Sequence, residues 1–125
     1  MIDNKQDSKF NLEERTSQFG ADVISFCRNI KEDNITKSLI NQVVRSATSV
    51  GANYREANGA SSKKDFKNKI HICQKEAKET QHWLHMIVTA MPSKKTEAQK
   101  LWKECKEFTL IFGKIVSTMN GKKIK

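Results

Sequence analysis

The sequence has few residues that break helices. Its 125 residues include one proline and five glycines, so long stretches are compatible with uninterrupted helices. Long apolar runs are also missing: they extend over only a few residues, whereas a membrane-spanning helix needs about 20. Residues 1–10 are polar and lack the apolar segment of a signal peptide. These absences predict a cytoplasmic protein that has no membrane partner.

Cysteine is scarce as well. Cys27, Cys73 and Cys105 are three in number, and none belongs to a Cys-x-x-Cys pair. An odd count at wide spacing argues against a disulfide framework and against a zinc site. Each cysteine lies on the apolar stripe of a predicted helix, where a free thiol behaves as a small hydrophobe. We therefore predict three buried, unpaired cysteines.

What the sequence does contain is four segments with helical periodicity, in which apolar residues recur at steps of three and four. The predicted helices span residues 12–31, 36–58, 62–91 and 94–119. Short connections favour antiparallel neighbours, so we predict an all-α, antiparallel up-and-down four-helix bundle over residues 12–120. A flexible N-terminal arm (1–11) and a basic C-terminal tail (121–125) flank it. The predicted N-caps are Asn11, Thr36, Ser62 and either Ser93 or Thr96.

The apolar stripes of the last two helices predict much of the core. In the second helix, Gly51 is expected to mark a close contact with another helix. The stripe of the third helix consists of Phe66, Ile70, Cys73, Ala77, Leu84, Val88 and Met91, and that of the fourth consists of Ala98, Leu101, Trp102, Cys105, Thr109, Phe112, Val116 and Met119.

Two further stripes do not fit a monomeric bundle, which needs one apolar face per helix. One is a polar stripe on the second helix, and the other contains Trp83 on the third helix. Exposed apolar patches of this kind usually mark an interface. The alternatives are that Trp83 lies at the edge of the core and that the polar stripe is a solvated face. If the interface is real, Arg45 should contact at least one of Glu56, Glu76 and Glu79, and the obvious candidates are Glu76 and Glu79. The candidate oligomer interface comprises Gln42, Arg45, Ser49, Asn53 and Glu56 on the second helix and Ile72, Glu76, Glu79, Trp83 and Met86 on the third.

Positive charge is concentrated in the second part of the chain. Residues 51–125 contain sixteen bases and seven acids, which accounts for the whole net charge of +9. Such asymmetry points to an acidic partner, nucleic acid first, although a lysine-rich solvated surface would look the same. The predicted lysine-rich face of the third and fourth helices lacks the interleaved aromatic residues of a single-strand stacking platform. The candidate nucleic-acid-binding residues are Lys64, Lys67, Lys75, Lys78, Lys100, Lys103, Lys114, Lys122 and Lys123.

Catalytic and metal-binding patterns are weak. Glu79 and His82 form one Glu-x-x-His element, whereas a di-iron bundle needs two such elements and two further glutamates. His82 and His85 lack a third ligand nearby. No phosphate-cradling loop is present, because Gly51 lies within a predicted helix rather than after a strand. We therefore predict no catalytic residues, no metal and no cofactor, and a protein that is not an enzyme.

Several segments resemble one known protein family across nearly the whole chain. The sequence is closely similar to the four-helix-bundle proteins encoded in intervening sequences of bacterial 23S ribosomal RNA genes. The residues that carry this resemblance are 45–57 (RSATSVGANYREA), Ser62 with Asp65 and Phe66, Lys69, 75–80 (KEAKET) with Trp83 and Leu84, and 12–16 (LEERT).

The resemblance implies a left-handed up-down bundle and a homopentamer. It also implies kinship with the accessory proteins of diversity-generating retroelements, which are basic pentameric bundles that bind nucleic acid and a reverse transcriptase. Two hypotheses follow. The chain is a pentameric RNA- or DNA-binding accessory protein, or it is an assembly or scaffold module that binds another protein and has no nucleic-acid role.

Overall fold

Residues 12–121, which the computed structural model describes, form four α-helices joined by short connections. The helices are α1 (Leu12–Arg28), α2 (Asn34–Asn58), α3 (Lys63–Ala90) and α4 (Lys95–Met119), and a 3₁₀ turn at Pro92–Lys94 leads into α4. Each helix packs against its neighbours in sequence, and α1 also contacts α4. The described part of the chain has no strand, so the predicted all-α four-helix bundle is confirmed. None of these helices is long and apolar enough to cross a membrane.

The helix starts explain where the predicted boundaries were right and wrong. The predicted cap Ser62 is confirmed, because its Oγ accepts a hydrogen bond from the Asp65 amide at 3.0 Å. Thr36 was wrong as the cap of α2. Asp33 caps that helix by accepting a hydrogen bond from the Thr36 amide, and Thr36 Oγ1 in turn accepts one from the Asp33 amide. A carboxylate is favoured at this position because it also interacts with the positive end of the helix dipole.

The start of α4 also differs from the prediction. Neither Ser93 nor Thr96 caps it. The 3₁₀ turn that begins at Pro92 runs directly into Lys95, and within residues 12–121 no side chain caps this helix start. Asn11, the N-terminal arm and residues 122–125 of the basic tail lie outside the described residues.

The core is a continuous layer of apolar side chains from all four helices. Phe19 of α1 meets Phe108 of α4 edge to face, with ring centroids 5.5 Å apart. Val43 of α2 and Ile70 and Leu84 of α3 are fully buried beside them. At the α1–α2 contact a Cβ on Gly51 would lie 3.2 Å from the Ser17 amide nitrogen. The predicted close helix contact at Gly51 is therefore confirmed.

In the fourth helix one predicted core residue is exposed, and one residue of the core was not predicted. Trp102 is 39% exposed, and Phe108, which was not predicted, is fully buried instead. In α3, Ile87 and Thr80 are buried, whereas Phe66, Val88 and Met91 are only partly buried, as are Leu101 and Met119 in α4. Trp102 and Phe108 lie about 60° to either side of the Cys105 direction on α4. Periodicity locates the centre of the stripe, but the neighbouring helices decide which flank they cover.

An arginine clamp joins α1 to α4. Arg15 binds Glu104 through two hydrogen bonds, from Nε at 2.8 Å and from Nη2 at 2.7 Å, and Nη2 also lies 2.6 Å from Glu107 Oε1. The guanidinium carbon is 5.0 Å from the ring centroid of Phe108. The hydrogen bonds to Glu104 raise the pKa of Arg15 above its ordinary value. The clamp therefore shields one edge of the core and fixes the contact that closes the bundle.

The three cysteines are buried and unpaired, as predicted. Cys105 Sγ lies 2.9 Å from the Ala77 carbonyl oxygen, and Cys73 Sγ lies 3.6 Å from that of Val50. Burial raises the pKa of the Cys27 thiol to about 11 and the pKa of Cys73 and of Cys105 to about 12. All three therefore stay neutral thiols near neutral pH.

Candidate oligomer interface and nucleic-acid surface

The two candidate interface stripes come together on one outer surface, between α2 and α3. We call it the α2–α3 face. At its centre Arg45 of α2 forms ion pairs with two carboxylates of α3: Nη1 lies 3.3 Å from Glu76 Oε1, and Nη2 contacts Glu79 Oε2. Trp83 Nε1 donates a hydrogen bond to the same Glu79 oxygen at 3.1 Å. The predicted pairing of Arg45 is therefore confirmed.

These charges are only partly shielded by the chain itself. The Arg45 side chain is 47% exposed, and the side chains of Glu76 and Glu79 are 15% and 30% exposed. Ion pairs at this degree of exposure contribute little to the stability of a single subunit. Covering the face with another chain would remove water from charges that already have partners.

Beneath the charged cluster lies a buried polar contact that the sequence analysis missed. Thr80 Oγ1 of α3 is 2.8 Å from Ser46 Oγ of α2 and also 2.8 Å from the Glu76 carbonyl oxygen. Both side chains are fully buried. Ser46 Oγ donates to the Val43 carbonyl oxygen at 3.3 Å. Both buried hydroxyls therefore have partners, which lets α2 and α3 pack closely below Arg45.

The remaining members of the face have separate partners. Ser49 Oγ donates to the Arg45 carbonyl at 2.7 Å, and Asn53 Nδ2 donates to the Ser49 carbonyl at 2.9 Å. Glu56 binds Lys69 Nζ at 2.8 Å and not Arg45, and this pairing raises the pKa of Lys69. Gln42 Oε1 lies 3.4 Å from Arg45 Nε. The polar stripe is therefore an ordered surface joined to the central cluster.

The apolar members of the face differ in exposure. Ile72 is 37% exposed, whereas Trp83 packs against the core while part of its ring remains accessible. In the single chain Trp83 therefore lies at the edge of the core, as one of the two interpretations of the sequence expected. Met86 is partly buried as well. That a neighbouring subunit covers the rest of this surface remains a prediction.

The candidate nucleic-acid residues form a surface on the other side of α3, facing α4. We call this surface, which carries Lys67, Lys78 and Lys103, the basic face. Glu76 and Glu79 turn towards α2, and by helical geometry Lys67 and Lys78 lie on the opposite side of α3. In α4 the carboxylates of Glu104 and Glu107 turn towards Arg15 of α1, and Lys103 lines the groove between α3 and α4. Lys67 and Lys78 are thus separated from the two paired carboxylates of α3, and Lys103 lies next to α3.

Other predicted lysines do not all join this face. Lys100 lines a different groove, between α1 and α4, together with Asp22 and Glu97, and its role in nucleic-acid binding stays a prediction. Lys64, Lys75 and Lys114 are exposed on the outer surfaces of their helices. Lys106, which the sequence analysis left out, is exposed one turn after Lys103. Lys122 and Lys123 lie outside the described residues.

A groove of about 540 Å³ lies between α3 and α4 at one end of the basic face. Its floor consists of Leu84, Val88 and Ala98, and Trp102 forms one wall. The sequence pattern places Trp102 in the core, so it predicts neither this groove nor an aromatic side chain beside the basic face, and the predicted lack of aromatic residues there was wrong. The available signal was the position of Trp102 at the flank of its stripe, next to Lys103.

The side chain contacts around Glu79 and His82 do not form a metal site. Glu79 is bound by Arg45 and Trp83, and the ring of His82 lies against the Trp83 ring, with centroids 4.8 Å apart. Within residues 12–121, histidine, cysteine, aspartate and glutamate do not form a group of three or more that could hold a metal ion.

Comparisons with known proteins place the chain in a family. A family model described as 23S rRNA-intervening sequence protein matches residues 8–114. Among solved structures, the chain is similar to a protein of unknown function from the S23 ribosomal protein family of Bacteroides thetaiotaomicron. The two are 29% identical and superpose with a TM-score of 0.73, over 83% of this chain and 96% of the other. No curated protein matches the chain. The chain belongs to the 23S rRNA-intervening sequence protein family.

Proposed function

We propose that this protein is a non-enzymatic oligomeric bundle that binds RNA or DNA through its basic face. The observation that carries the proposal is that Lys67 and Lys78 lie on the side of α3 away from its paired carboxylates, with Lys103 of α4 at the adjoining groove. Four carboxylates of α3 and α4 are paired with Arg45 and Arg15. Because those carboxylates bind arginines, the three lysines can act together on a ligand, and a phosphate backbone is the anion that an extended row of lysines fits.

Self-association through the α2–α3 face is the second part of the proposal. Arg45, Glu76 and Glu79 already neutralise one another, so a neighbouring subunit meets paired charges and the exposed part of Ile72 and Trp83. The family resemblance favours five subunits. An oligomer would also present several basic faces to one strand, which raises affinity without any new kind of contact.

A direct test compares two variants that each lose three positive charges. The first replaces Lys67, Lys78 and Lys103 of the basic face by glutamine. The matched control replaces Arg28, Lys31 and Lys37 by glutamine, since these exposed residues lie at and around the α1–α2 connection. Fluorescence anisotropy with a labelled 20-nucleotide RNA and the equivalent DNA measures affinity at low salt. The basic-face variant should bind at least tenfold more weakly than the control, whereas equal losses would contradict the proposal.

The alternative function is an assembly or scaffold module with no nucleic-acid role. It is favoured by the partly exposed Ile72 and Trp83, which any protein partner could cover, including a reverse transcriptase of the kind implied by the family resemblance. In this case the wild-type protein should bind neither oligonucleotide at 50 mM salt, while variants of the α2–α3 face should still lose the protein partner.

A further inference from the structure

The groove between α3 and α4 has an aromatic wall that the bundle does not use. Trp102 is 39% exposed, whereas the phenylalanines of the same helix, Phe108 and Phe112, are fully buried. An indole that remains in water leaves a large apolar surface uncovered. A flat ligand that stacked on it would remove that surface from water.

The groove has a suitable size and an apolar floor. Its volume is about 540 Å³, within the range of roughly 300–1,000 Å³ that small-molecule sites occupy. Leu84 and Ala98 are almost completely buried at its base, and Val88 is partly buried. A planar ring placed against Trp102 would therefore have an apolar surface beneath it as well as beside it.

The rim of the groove is positively charged. Lys103 directly follows Trp102 in the sequence. Lys95 lies seven residues before Trp102, on the same side of α4 as Trp102. The two lysines are about 12 Å apart along the helix axis. His85 of α3 stands at the opposite rim, and among the described residues no carboxylate lines the groove. Positive charge thus flanks the aromatic wall on both sides along the helix.

We infer that this groove binds an unpaired base of single-stranded RNA or DNA, stacked on Trp102, with Lys95 and Lys103 at the flanking phosphates. Stacking on aromatic side chains beside a basic groove is how proteins bind single strands without sequence preference. A second copy of this chain would bring a like-charged basic face to the rim. An acidic peptide would match the charge but offers no flat ring for the indole. The inference rests on the proposed function and specifies which part of the nucleic acid is bound.

The test uses the full chain, a 12-nucleotide single strand and a blunt duplex that contains it. Trp102→Leu removes the ring and keeps an apolar side chain, and Trp102→Phe keeps a ring that can stack. Ile24→Ala is the control, because Ile24 is also 39% exposed but lies on α1. Circular dichroism and thermal unfolding check that each variant is folded. A polyglutamate peptide serves as the acidic probe without bases.

The single strand should quench the tryptophan fluorescence of the wild-type protein, and Trp102→Phe should abolish this quenching while retaining most of the affinity. Trp102→Leu should weaken single-strand binding by about five- to 150-fold, the range for loss of one stacked base, and leave duplex binding and Ile24→Ala unchanged. If Trp102→Leu binds the single strand normally while the basic-face variant does not, stacking is wrong and the proposed function stands. Equal quenching by polyglutamate would also overturn the inference, and no binding to either oligonucleotide would overturn both.

Discussion

Arg45 of α2 and Glu79 of α3 form an ion pair that also orients a tryptophan, since Trp83 Nε1 donates to the carboxylate oxygen that Arg45 contacts. Glu76 binds the other end of the guanidinium at 3.3 Å. One arginine thus fixes two carboxylates and one indole on the outer surface of the α2–α3 pair. In the single chain the side chains of Arg45, Glu76 and Glu79 are 47%, 15% and 30% exposed. If the proposed oligomer covers this cluster, its main effect on stability should appear in the assembled protein.

Arg45→Ala should therefore weaken the assembled protein by about 3–5 kcal/mol, because it leaves two carboxylates without their cation in a shielded site. An Arg45 that remained in water would contribute only about 0–1 kcal/mol. The measurement is urea denaturation at several protein concentrations. Arg55→Ala, a change of an exposed arginine on the same helix, is the control and should have little effect. A double-mutant cycle with Glu76→Gln should show coupling, and small additive losses would mean that the face is ordinary surface.

The Arg15 clamp should contribute to the stability of each subunit on its own. Arg15→Ala removes the fork on Glu104 and the contact with the Phe108 ring, and the expected loss is about 1–3 kcal/mol. Arg15→Lys keeps the charge but cannot form the two-armed hydrogen bond, so it should recover only part of the loss. Arg28→Ala, an exposed arginine of the same helix, is the control. Full recovery by lysine would show that charge alone matters here.

Stability should fall above about pH 9 because the buried thiols resist ionisation. Their pKa values are about 11 for Cys27 and about 12 for Cys73 and Cys105 in the folded chain, against an ordinary value of 9.0. Below pH 9 the thiols are protonated in both states and this effect is zero. Above it the thiols of the unfolded chain release protons, which lowers the free energy of the unfolded state relative to the folded state by up to about 1.4 kcal/mol per pH unit for each thiol.

Lysines and the tyrosine also titrate in this range, so the informative quantity is a difference between variants. Cys105→Ala should flatten the dependence of the unfolding free energy on pH between 9 and 11 by up to about 1.4 kcal/mol per pH unit. Its loss of packing shifts the whole curve without changing that slope. Parallel curves for the wild-type protein and the variant would show that the Cys105 thiolate is tolerated in the folded core.

The sequence was sufficient for the parts of the fold that depend on periodicity. It predicted four helices, the buried cysteines, the Ser62 cap and the pairing of Arg45 with Glu76 or Glu79. Each of these follows from spacing along one helix or from charge that must find a partner. Asp33 was missed as a cap because Thr36 is also a good cap residue, and only the backbone geometry decides between them.

The errors concern contacts between helices, which one helix's periodicity does not encode. Trp102 and Phe108 lie on opposite flanks of the same stripe, and α1 covers Phe108 through Phe19 while α3 leaves Trp102 beside a groove. Lys100 and Lys103 are one turn apart on α4 but line different grooves. The first shares a groove with Asp22 and Glu97, and the second lines the groove of Trp102.

Light scattering coupled to gel filtration should give a mass several times that of the 14.3 kDa subunit, and five times if the family resemblance extends to assembly. Ile72→Lys places a charge on the α2–α3 face and should shift the mass towards the monomer. Ile24→Lys is a matched control, since Ile24 and Ile72 are 39% and 37% exposed. A wild-type monomer at micromolar concentration would contradict the assembly proposal.

The measurement that tests the central claim most directly is the salt dependence of nucleic-acid binding. For the wild-type protein, the logarithm of the association constant should fall linearly with the logarithm of the salt concentration. Replacing Lys67, Lys78 and Lys103 by glutamine should reduce that slope by about two to three for each subunit on the strand, since each lost phosphate contact removes about 0.7–0.9. Replacing Arg28, Lys31 and Lys37 by glutamine should leave the slope unchanged. Identical slopes for the two variants would contradict a nucleic-acid-binding role for the basic face.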